Sequence, residues 1–164
     1  MAGGLVSDMF LTQCPSFPSP SFERTEDHDT LLDLSDYVIL FDWSGTIIHD
    51  IVQTNNVFNY VLVRRGRAPV SISEFRRRFR LPYWKYLKAC GLPESEAKSE
   101  QLLKEIELTY LLDTRLVVPF PETVTALSCV QSVNARLGIV SSSTRKMVET
   151  ILDCFGLGHL FEVG

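Results

Sequence analysis

The chain has 164 residues, of which 45% are hydrophobic and 22% charged, and its net charge is −4 at pH 7. This length predicts one domain that is large enough to bury a hydrophobic core. No apolar run approaches the roughly 20 residues that a membrane-spanning helix needs. The cysteines are widely spaced and form no paired metal-ligand pattern. They are predicted to be reduced thiols: Cys14, Cys90, Cys129 and Cys154.

The first 36 residues have the composition of a disordered tail. Proline and serine dominate residues 14–21, and acidic residues dominate residues 23–29. Secretory and mitochondrial targeting patterns are not found, because Asp8 interrupts the apolar start and no basic residue precedes Arg24. The sequence therefore predicts a cytoplasmic protein.

Residues 37–48, YVILFDWSGTII, place a carboxylate at the end of an apolar strand. In open α/β sheets, ligands bind outside the carboxyl ends of the strands, which is where Asp42 would lie. A tight Gly45-Thr46 turn with free backbone N–H groups follows, and it suits phosphoryl transfer to Asp42 or metal binding. The alternative is that Asp42 only caps the next helix.

Residues 50–116 show helical periodicity and no clear strand signal. Four helices are predicted: 50–65, a short helix capped by Ser73, 83–90, and a long helix from Pro93 to about Arg115. We interpret this region as an all-helical insertion between two pieces of a sheet.

The sheet resumes after the insertion, and these elements are predicted: a helix over 122–133, a strand over 136–140, a helix over 144–155 and a third strand beginning at 160–163. Ser141 ends the second strand at the amino end of the 144–155 helix, where N–H groups and the helix dipole favour an anion. Ser141 is therefore a candidate phosphate ligand. The alternative is that Ser142 or Ser143 simply caps the helix.

The run Phe41-Asp42-Trp43-Ser44-Gly45-Thr46 resembles the first signature of the haloacid dehalogenase (HAD) superfamily, a hydrophobic strand followed by Asp-x-Asp-Gly-Thr. The resemblance implies that Asp42 is a nucleophile that takes up a phosphoryl group, and that Asp42 and the Ser44 carbonyl bind Mg²⁺. Residues 137–141 resemble the second signature. It implies that Ser141 and the Ser142 N–H hold the phosphoryl group.

The order of segments resembles the helical-cap branch of the superfamily, which includes phosphoglycolate-phosphatase-like and phosphonoacetaldehyde-hydrolase-like enzymes. This implies an α/β fold: a Rossmann-like core with an incomplete parallel sheet, from residues 37–49 and 117–164, and a helical cap over 50–116. The third signature, a Lys or Arg, and the fourth, acidic Mg²⁺ ligands, would lie beyond Gly164. We therefore expect the Asp42 strand at an exposed sheet edge, which invites self-association.

Ser44 departs from the first signature, because the family has a second Asp there. That Asp is a general acid/base, a role worth roughly 10²–10⁴-fold in rate. Three interpretations stay open: a phosphonatase, a slow phosphatase, or a protein that has lost catalysis. The first is similar to phosphonoacetaldehyde hydrolases, which carry Asp-Trp-Ala-Gly-Thr and form a Schiff base through a cap lysine.

Lys85 is the candidate for that Schiff base, with Tyr83, Trp84 and Tyr86 as an apolar wall; the alternative is a solvated helix lysine. Segment 64–88 carries nine basic residues against Glu74 alone, which favours a small anionic ligand. The acidic remainder of the chain argues against nucleic acid.

The sequence thus predicts a Mg²⁺-dependent HAD-type hydrolase that acts on a small phosphorylated or phosphonate metabolite through an aspartyl-phosphate on Asp42. Further substrate contacts are expected from Gly45, Thr46, Ser142 and Arg80. The alternative function is a catalytically inactive fragment that binds phosphate-bearing ligands or a partner.

Overall fold

The computed structural model describes residues 33–162, which fall into two units. Unit 1 lies within Met1–His49 and Val118–Gly164, and unit 2 is Asp50–Val117. Residues 1–32 of the predicted tail over residues 1–36 lie outside the described residues. In the last part of this segment, the N–H of Leu34 donates to the carbonyl of Val133 at 2.7 Å. This backbone hydrogen bond connects the segment to the rest of unit 1.

The elements of the described chain follow in this order: β1 (Val38–Asp42), β2 (Ile48–His49), α1 (Ile51–Arg64), α2 (Ile72–Arg78), α3 (Tyr83–Ala89), α4 (Glu94–Ala97), α5 (Glu100–Leu112), β3 (Val118–Pro119), α6 (Thr123–Ser132), β4 (Arg136–Val140) and α7 (Arg145–Cys154). Within residues 33–162, no helix is long and apolar enough to cross a membrane.

Unit 1 is built on a parallel pair of strands, which confirms the predicted α/β class. β1 pairs with β4 from Val38 opposite Arg136 to Asp42 opposite Val140. A short antiparallel pair, β2 with β3, was not predicted, because two residues are too few to show a periodicity.

The prediction that a third strand begins at residue 160 is wrong. Gly158–Leu160 forms a 3₁₀ turn, and the N–H of Glu162 then donates to the carbonyl of Leu137 in β4 at 3.0 Å. Val163 lies outside the described residues.

The α7 helix confirms its prediction. Its buried residues recur at helical spacing: Met147, Val148, Ile151 and Leu152. The cap is Thr144, whose hydroxyl accepts the N–H of Met147 at 3.3 Å, rather than Ser142 or Ser143. Gly156 follows the helix with a φ of +65°, a left-handed conformation that favours glycine.

Unit 2 contains α1 to α5 around an aromatic cluster. The rings of Phe58, Phe75, Phe79 and Tyr86 lie with centroids between 4.8 Å and 5.9 Å apart. Such offset and edge-to-face contacts stabilise a small core beyond the burial of apolar area.

Two helix predictions in unit 2 are wrong, and serine hydroxyls explain both. Ser71, not Ser73, caps α2 by accepting the N–H of Glu74 at 3.2 Å. The predicted long helix is divided into α4 and α5, because the Ser99 hydroxyl accepts the N–H of Leu102 at 3.2 Å and starts a new helix.

Cys90 is a half-buried free thiol and Cys129 an exposed one. Cys154 is disulfide-bonded, so the prediction of a reduced thiol is wrong there. Cys14 lies outside the described residues.

Candidate active site

The candidate site lies at the carboxyl ends of β1 and β4. Asp42 is opposite Val140, so Ser141 is the first residue beyond β4 and lies next to Asp42 across the two strands. Asp42 is exposed and Ser141 is half-buried. The parallel register therefore brings the two strongest candidates for phosphate chemistry to one edge of the sheet.

The loop after Asp42 is closed by its own backbone. The carbonyl of Trp43 accepts the N–H groups of Thr46 at 3.3 Å, Ile47 at 2.9 Å and Ile48 at 3.1 Å. The N–H of Gly45 donates to the Ile48 carbonyl at 2.8 Å. The φ angle of Gly45 is +86°, a value that glycine adopts without strain. The expectation of free N–H groups at Gly45 and Thr46 is therefore wrong.

Thr46 contacts Asp42 through its side chain instead. Its hydroxyl donates to Oδ2 of Asp42 at 3.3 Å, a long hydrogen bond that orients the carboxylate without burying it. Ser44 is exposed and forms a backbone bridge with Ile48. The loop thus presents Asp42, Ser44 and Thr46 together.

Two residues outside the signature hold this loop in place. The Ile47 carbonyl accepts the N–H of Phe120 at 3.1 Å and the hydroxyl of the buried Thr123 at 2.9 Å. Trp43 is itself almost fully buried and anchors the loop to the core. The sequence analysis missed Thr123, since its partner lies 76 residues away in the chain.

Ser141 forms a local turn at the end of β4. Its Oγ accepts the N–H of Ser143 at 2.9 Å, and Ser142 between them is exposed. A hydroxyl that accepts one hydrogen bond keeps its own O–H as a donor. Ser141 can therefore donate to an anion at this edge.

The other predicted site residues, Arg80 and Lys85, belong to unit 2, where both are exposed. The Arg80 guanidinium donates to the carbonyl of Phe79 at 2.6 Å. Lys85 Nζ lies 5.7 Å from the centroid of the Trp84 ring. Tyr86 is buried in the aromatic cluster, so it is not part of the expected apolar wall around Lys85.

Acidic partners neutralise much of the basic segment 64–88. Arg65 binds Glu105 and Glu96, and its hydrogen bond to Glu105 lowers the pKa of that carboxyl. Lys88 and Lys98 both bind Glu94 and lower its pKa to about 2. Among the residues that the structure describes, no carboxylate pairs with four of the nine basic residues: Arg67, Arg76, Arg80 and Lys85.

A sequence model of the haloacid dehalogenase-like hydrolases matches residues 39–163, most of the chain. The chain belongs to this family. No curated protein matches it in sequence.

Solved structures show the same fold. A candidate phosphoglycolate phosphatase from Lactobacillus plantarum is 20% identical with a TM-score of 0.68, and the match covers 79% of this chain and 60% of that one. A HAD hydrolase of family IA, variant 3, from Entamoeba histolytica is 21% identical with a TM-score of 0.62, over 77% and 57% of the two chains.

A third similar structure is the protein tyrosine kinase A (PtkA) of Mycobacterium tuberculosis, 25% identical with a TM-score of 0.64, over 79% and 59% of the two chains. The chain spans about 60% of the length of the solved structures that it matches.

Hydrolases of this family are generally metal-dependent, and the donors at the loop fit a hard cation. The Asp42 carboxylate and the Ser44 carbonyl are oxygen donors, which Mg²⁺ prefers. Within residues 33–162, no group of three or more His, Cys, Asp or Glu side chains could hold a metal.

Proposed function

We propose that this chain is a cytoplasmic HAD-type hydrolase acting on a small phosphorylated metabolite through an aspartyl-phosphate on Asp42. The observation that carries the proposal is the register of β1 with β4, since it puts an exposed carboxylate beside a serine hydroxyl at one sheet edge. The names of the solved phosphatases with this fold support the same class of substrate.

In the proposed reaction, a carboxylate oxygen of Asp42 attacks the phosphorus in line with the leaving group. The bond from phosphorus to the leaving oxygen breaks, and that oxygen keeps the electron pair. The Ser141 hydroxyl and the Ser142 N–H donate to phosphoryl oxygens, and Thr46 orients the attacking carboxylate. Water then attacks the aspartyl-phosphate, which releases phosphate and regenerates Asp42.

A bound Mg²⁺, held by the Asp42 carboxylate and the Ser44 carbonyl, would neutralise charge on the transferred group. Because Ser44 has no acidic proton at neutral pH, the leaving oxygen takes its proton from water. This favours substrates whose leaving group is a weak base, such as acyl phosphates, over alkyl phosphates.

The test is turnover of acetyl phosphate and p-nitrophenyl phosphate with added Mg²⁺. Asp42→Asn is expected to lower turnover at least about a thousandfold, since it removes the nucleophile. The matched control is Asp36→Asn, an exposed aspartate just before β1, which should leave turnover unchanged. Acid quenching followed by peptide mass analysis should find one phosphoryl group on the peptide that contains Asp42.

Two outcomes would contradict the proposal. Equal turnover in the wild-type and Asp42→Asn proteins would exclude Asp42 as nucleophile. Absence of any turnover in the wild type, with unchanged folding, would leave the phosphate-binding module as the function.

A phosphonatase activity is a separate proposal that rests on the sequence motif Asp42-Trp43-Ser44-Gly45-Thr46 and on Lys85. In it, the Lys85 amine condenses with a substrate aldehyde, water leaves, and the imine accepts the electrons of the breaking P–C bond. Its support is weaker, since Lys85 is exposed and Tyr86 does not shield it. Borohydride trapping with phosphonoacetaldehyde should label Lys85, and absence of a labelled lysine would exclude this chemistry.

A further inference from the structure

The carbonyl of Ile47, in the loop after Asp42, accepts two hydrogen bonds from the segment that leads into α6. The N–H of Phe120 donates to it at 3.1 Å, and the hydroxyl of Thr123 donates at 2.9 Å. Ile47 is 1% exposed and Thr123 is 7% exposed. Because water has little access to this position and does not replace a lost donor, the Thr123 hydroxyl contributes more here than it would at the surface.

The neighbouring backbone explains why the loop depends on Thr123. The loop continues into β2, whose pairing with β3 is only two residues long and sets Ile48 opposite Pro119. Proline has no N–H to donate, so this pair offers fewer hydrogen bonds than an ordinary strand pair. The N–H of Thr123 donates to the carbonyl of Phe120 at 3.0 Å, and this turn brings the Thr123 hydroxyl to the Ile47 carbonyl.

One peptide group of the loop, the Ile47 carbonyl with the Ile48 N–H, is bound at both ends. Its carbonyl accepts the Thr123 hydroxyl, and its N–H donates to the Trp43 carbonyl at 3.1 Å. Hydrogen bonds at the two ends of a peptide group polarise and strengthen each other. The Thr123 hydroxyl therefore fixes the plane of this peptide group and, through it, the position of the Trp43 carbonyl.

The Trp43 carbonyl connects this peptide group to the candidate nucleophile. It also accepts the N–H of Thr46 at 3.3 Å, and the Thr46 hydroxyl donates to Oδ2 of Asp42 at 3.3 Å. Trp43 also follows Asp42 directly in the chain. A covalent path and a hydrogen-bonded path thus join the Asp42 carboxylate to the peptide group that Thr123 holds.

We propose that Thr123 is a positioning residue for Asp42. Its hydroxyl acts through the loop, and it holds the Asp42 carboxylate and the Ser44 carbonyl in the directions that in-line attack and cation binding require. This alignment matters because a misplacement of about 1 Å can cost about 100-fold in rate. The catalytic consequence rests on the proposed function, whereas the effect on the loop does not.

The test compares two substitutions of Thr123. Thr123→Val removes the hydroxyl and keeps nearly the same shape, and Thr123→Ser keeps the hydroxyl. With acetyl phosphate at saturating Mg²⁺, Thr123→Val should lower kcat about 10- to 100-fold and change KM by less than about twofold. KM should be kept because the proposed phosphoryl ligands, Ser141 and the Ser142 N–H, lie beyond β4 and not in this loop. Thr123→Ser should keep at least about half of the wild-type kcat, since it still donates to the Ile47 carbonyl.

Thr109→Val is the matched control. The hydroxyl of the half-buried Thr109 donates to the Glu105 carbonyl at 2.7 Å within α5, so this variant also loses one hydroxyl-to-carbonyl hydrogen bond. It should leave kcat unchanged. Urea unfolding shows whether each variant is folded under the assay conditions. If Thr123→Val does not fold, Thr123→Cys, whose thiol is a weaker donor of similar size, replaces it with the same expected loss of kcat.

A readout that does not depend on turnover separates this proposal from the proposed function. In amide NMR spectra, Thr123→Val should shift the resonances of three residues whose N–H groups are bound within the loop: Gly45, Thr46 and Ile48. Their hydrogen exchange should also become faster, because the loop opens more often. Neither Thr123→Ser nor Thr109→Val should have these effects. A wild-type chain without turnover would refute the proposed function, and these spectra would still decide whether Thr123 positions the loop.

Four results would overturn the proposal. The first is a Thr123→Val protein with the kcat and the loop spectrum of the wild type. The second is an equal loss of kcat in Thr123→Ser and Thr123→Val, which would assign the effect to packing. The third is an equal loss in Thr109→Val, which would assign it to general stability. The fourth is a higher KM with an unchanged kcat, which would indicate a role in substrate binding.

Discussion

The candidate site in unit 1 and the ion pairs of unit 2 use their polar side chains in different ways. At the sheet edge of unit 1, the side chains of Asp42 and Ser141 each accept a hydrogen bond from an uncharged donor, at 3.3 Å and 2.9 Å. In unit 2, charged side chains bind one another, as Arg65 does with Glu96 and Glu105. The comparison indicates that the side chains of Asp42 and Ser141 remain available to a ligand because the fold does not use them in ion pairs.

One buried polar network of unit 2 follows the same rule. The Asp50 carboxylate is buried and accepts the hydroxyls of Tyr110 at 3.1 Å and Thr54 at 3.3 Å. Gln53 donates to the Tyr110 carbonyl at 3.1 Å. Such a satisfied network stabilises the unit but offers no donor to a ligand.

The largest expected effect is a gain of activity in unit 1. Ser44→Asp places a carboxylic acid two residues after Asp42, where it can protonate the leaving oxygen. Turnover of an alkyl phosphate should rise about 10²–10⁴-fold, and turnover of acetyl phosphate should rise less. Ser44→Asn has a similar shape without the acid, so an equal gain in that variant would contradict the explanation.

A stability change of about 3–5 kcal/mol is expected in unit 2. Phe58→Ala removes a buried ring that contacts Phe75, Phe79 and Tyr86, and it leaves a cavity. Urea unfolding monitored by hydrogen exchange should locate the loss in unit 2. Val63→Ala lies on the exposed side of the same helix and should change the free energy of unfolding by less than about 0.5 kcal/mol.

A smaller loss, about 1–3 kcal/mol, is expected for Tyr110→Phe. Burial and the neighbouring Asp50 raise the pKa of Tyr110, so its hydroxyl remains a donor, and the variant leaves the buried carboxylate with one fewer partner. Tyr60→Phe is the control, because its exposed hydroxyl accepts only from Arg64 at 2.9 Å. Equal losses in the two variants would contradict the role of burial.

The smallest effect concerns acid stability. Lys88 and Lys98 lower the pKa of Glu94 from 4.5 to about 2, so this carboxylate stabilises the folded state above pH 4.5 and loses that contribution as the pH falls toward 2. Glu94→Gln should reduce the slope of stability against pH in this window. Because the side chains of Glu94, Lys88 and Lys98 are in contact with solvent, salt screens these ion pairs, and high salt should reduce the difference.

Local patterns predicted the elements whose signals lie within a few neighbouring residues. β1, α1 and α7 follow from apolar periodicity and from Gly66 and Gly156 beyond their helix ends. The apposition of Asp42 and Ser141 follows from a general rule, since carboxyl ends of parallel strands meet at one edge. By contrast, the choice between Ser71 and Ser73 as a cap depends on the geometry of a single turn, which composition does not reveal.

By itself, the sequence determined the family, the α/β class and the candidate carboxylate, because the strand, its Asp and the Gly-Thr turn are contiguous. Only the tertiary structure showed that the loop uses its own N–H groups, that Thr123 supports it, and that Leu40 packs closely against Gly138. These features join residues far apart in the chain. Their hydrogen bonds and burial exist only once the strands and helices have packed.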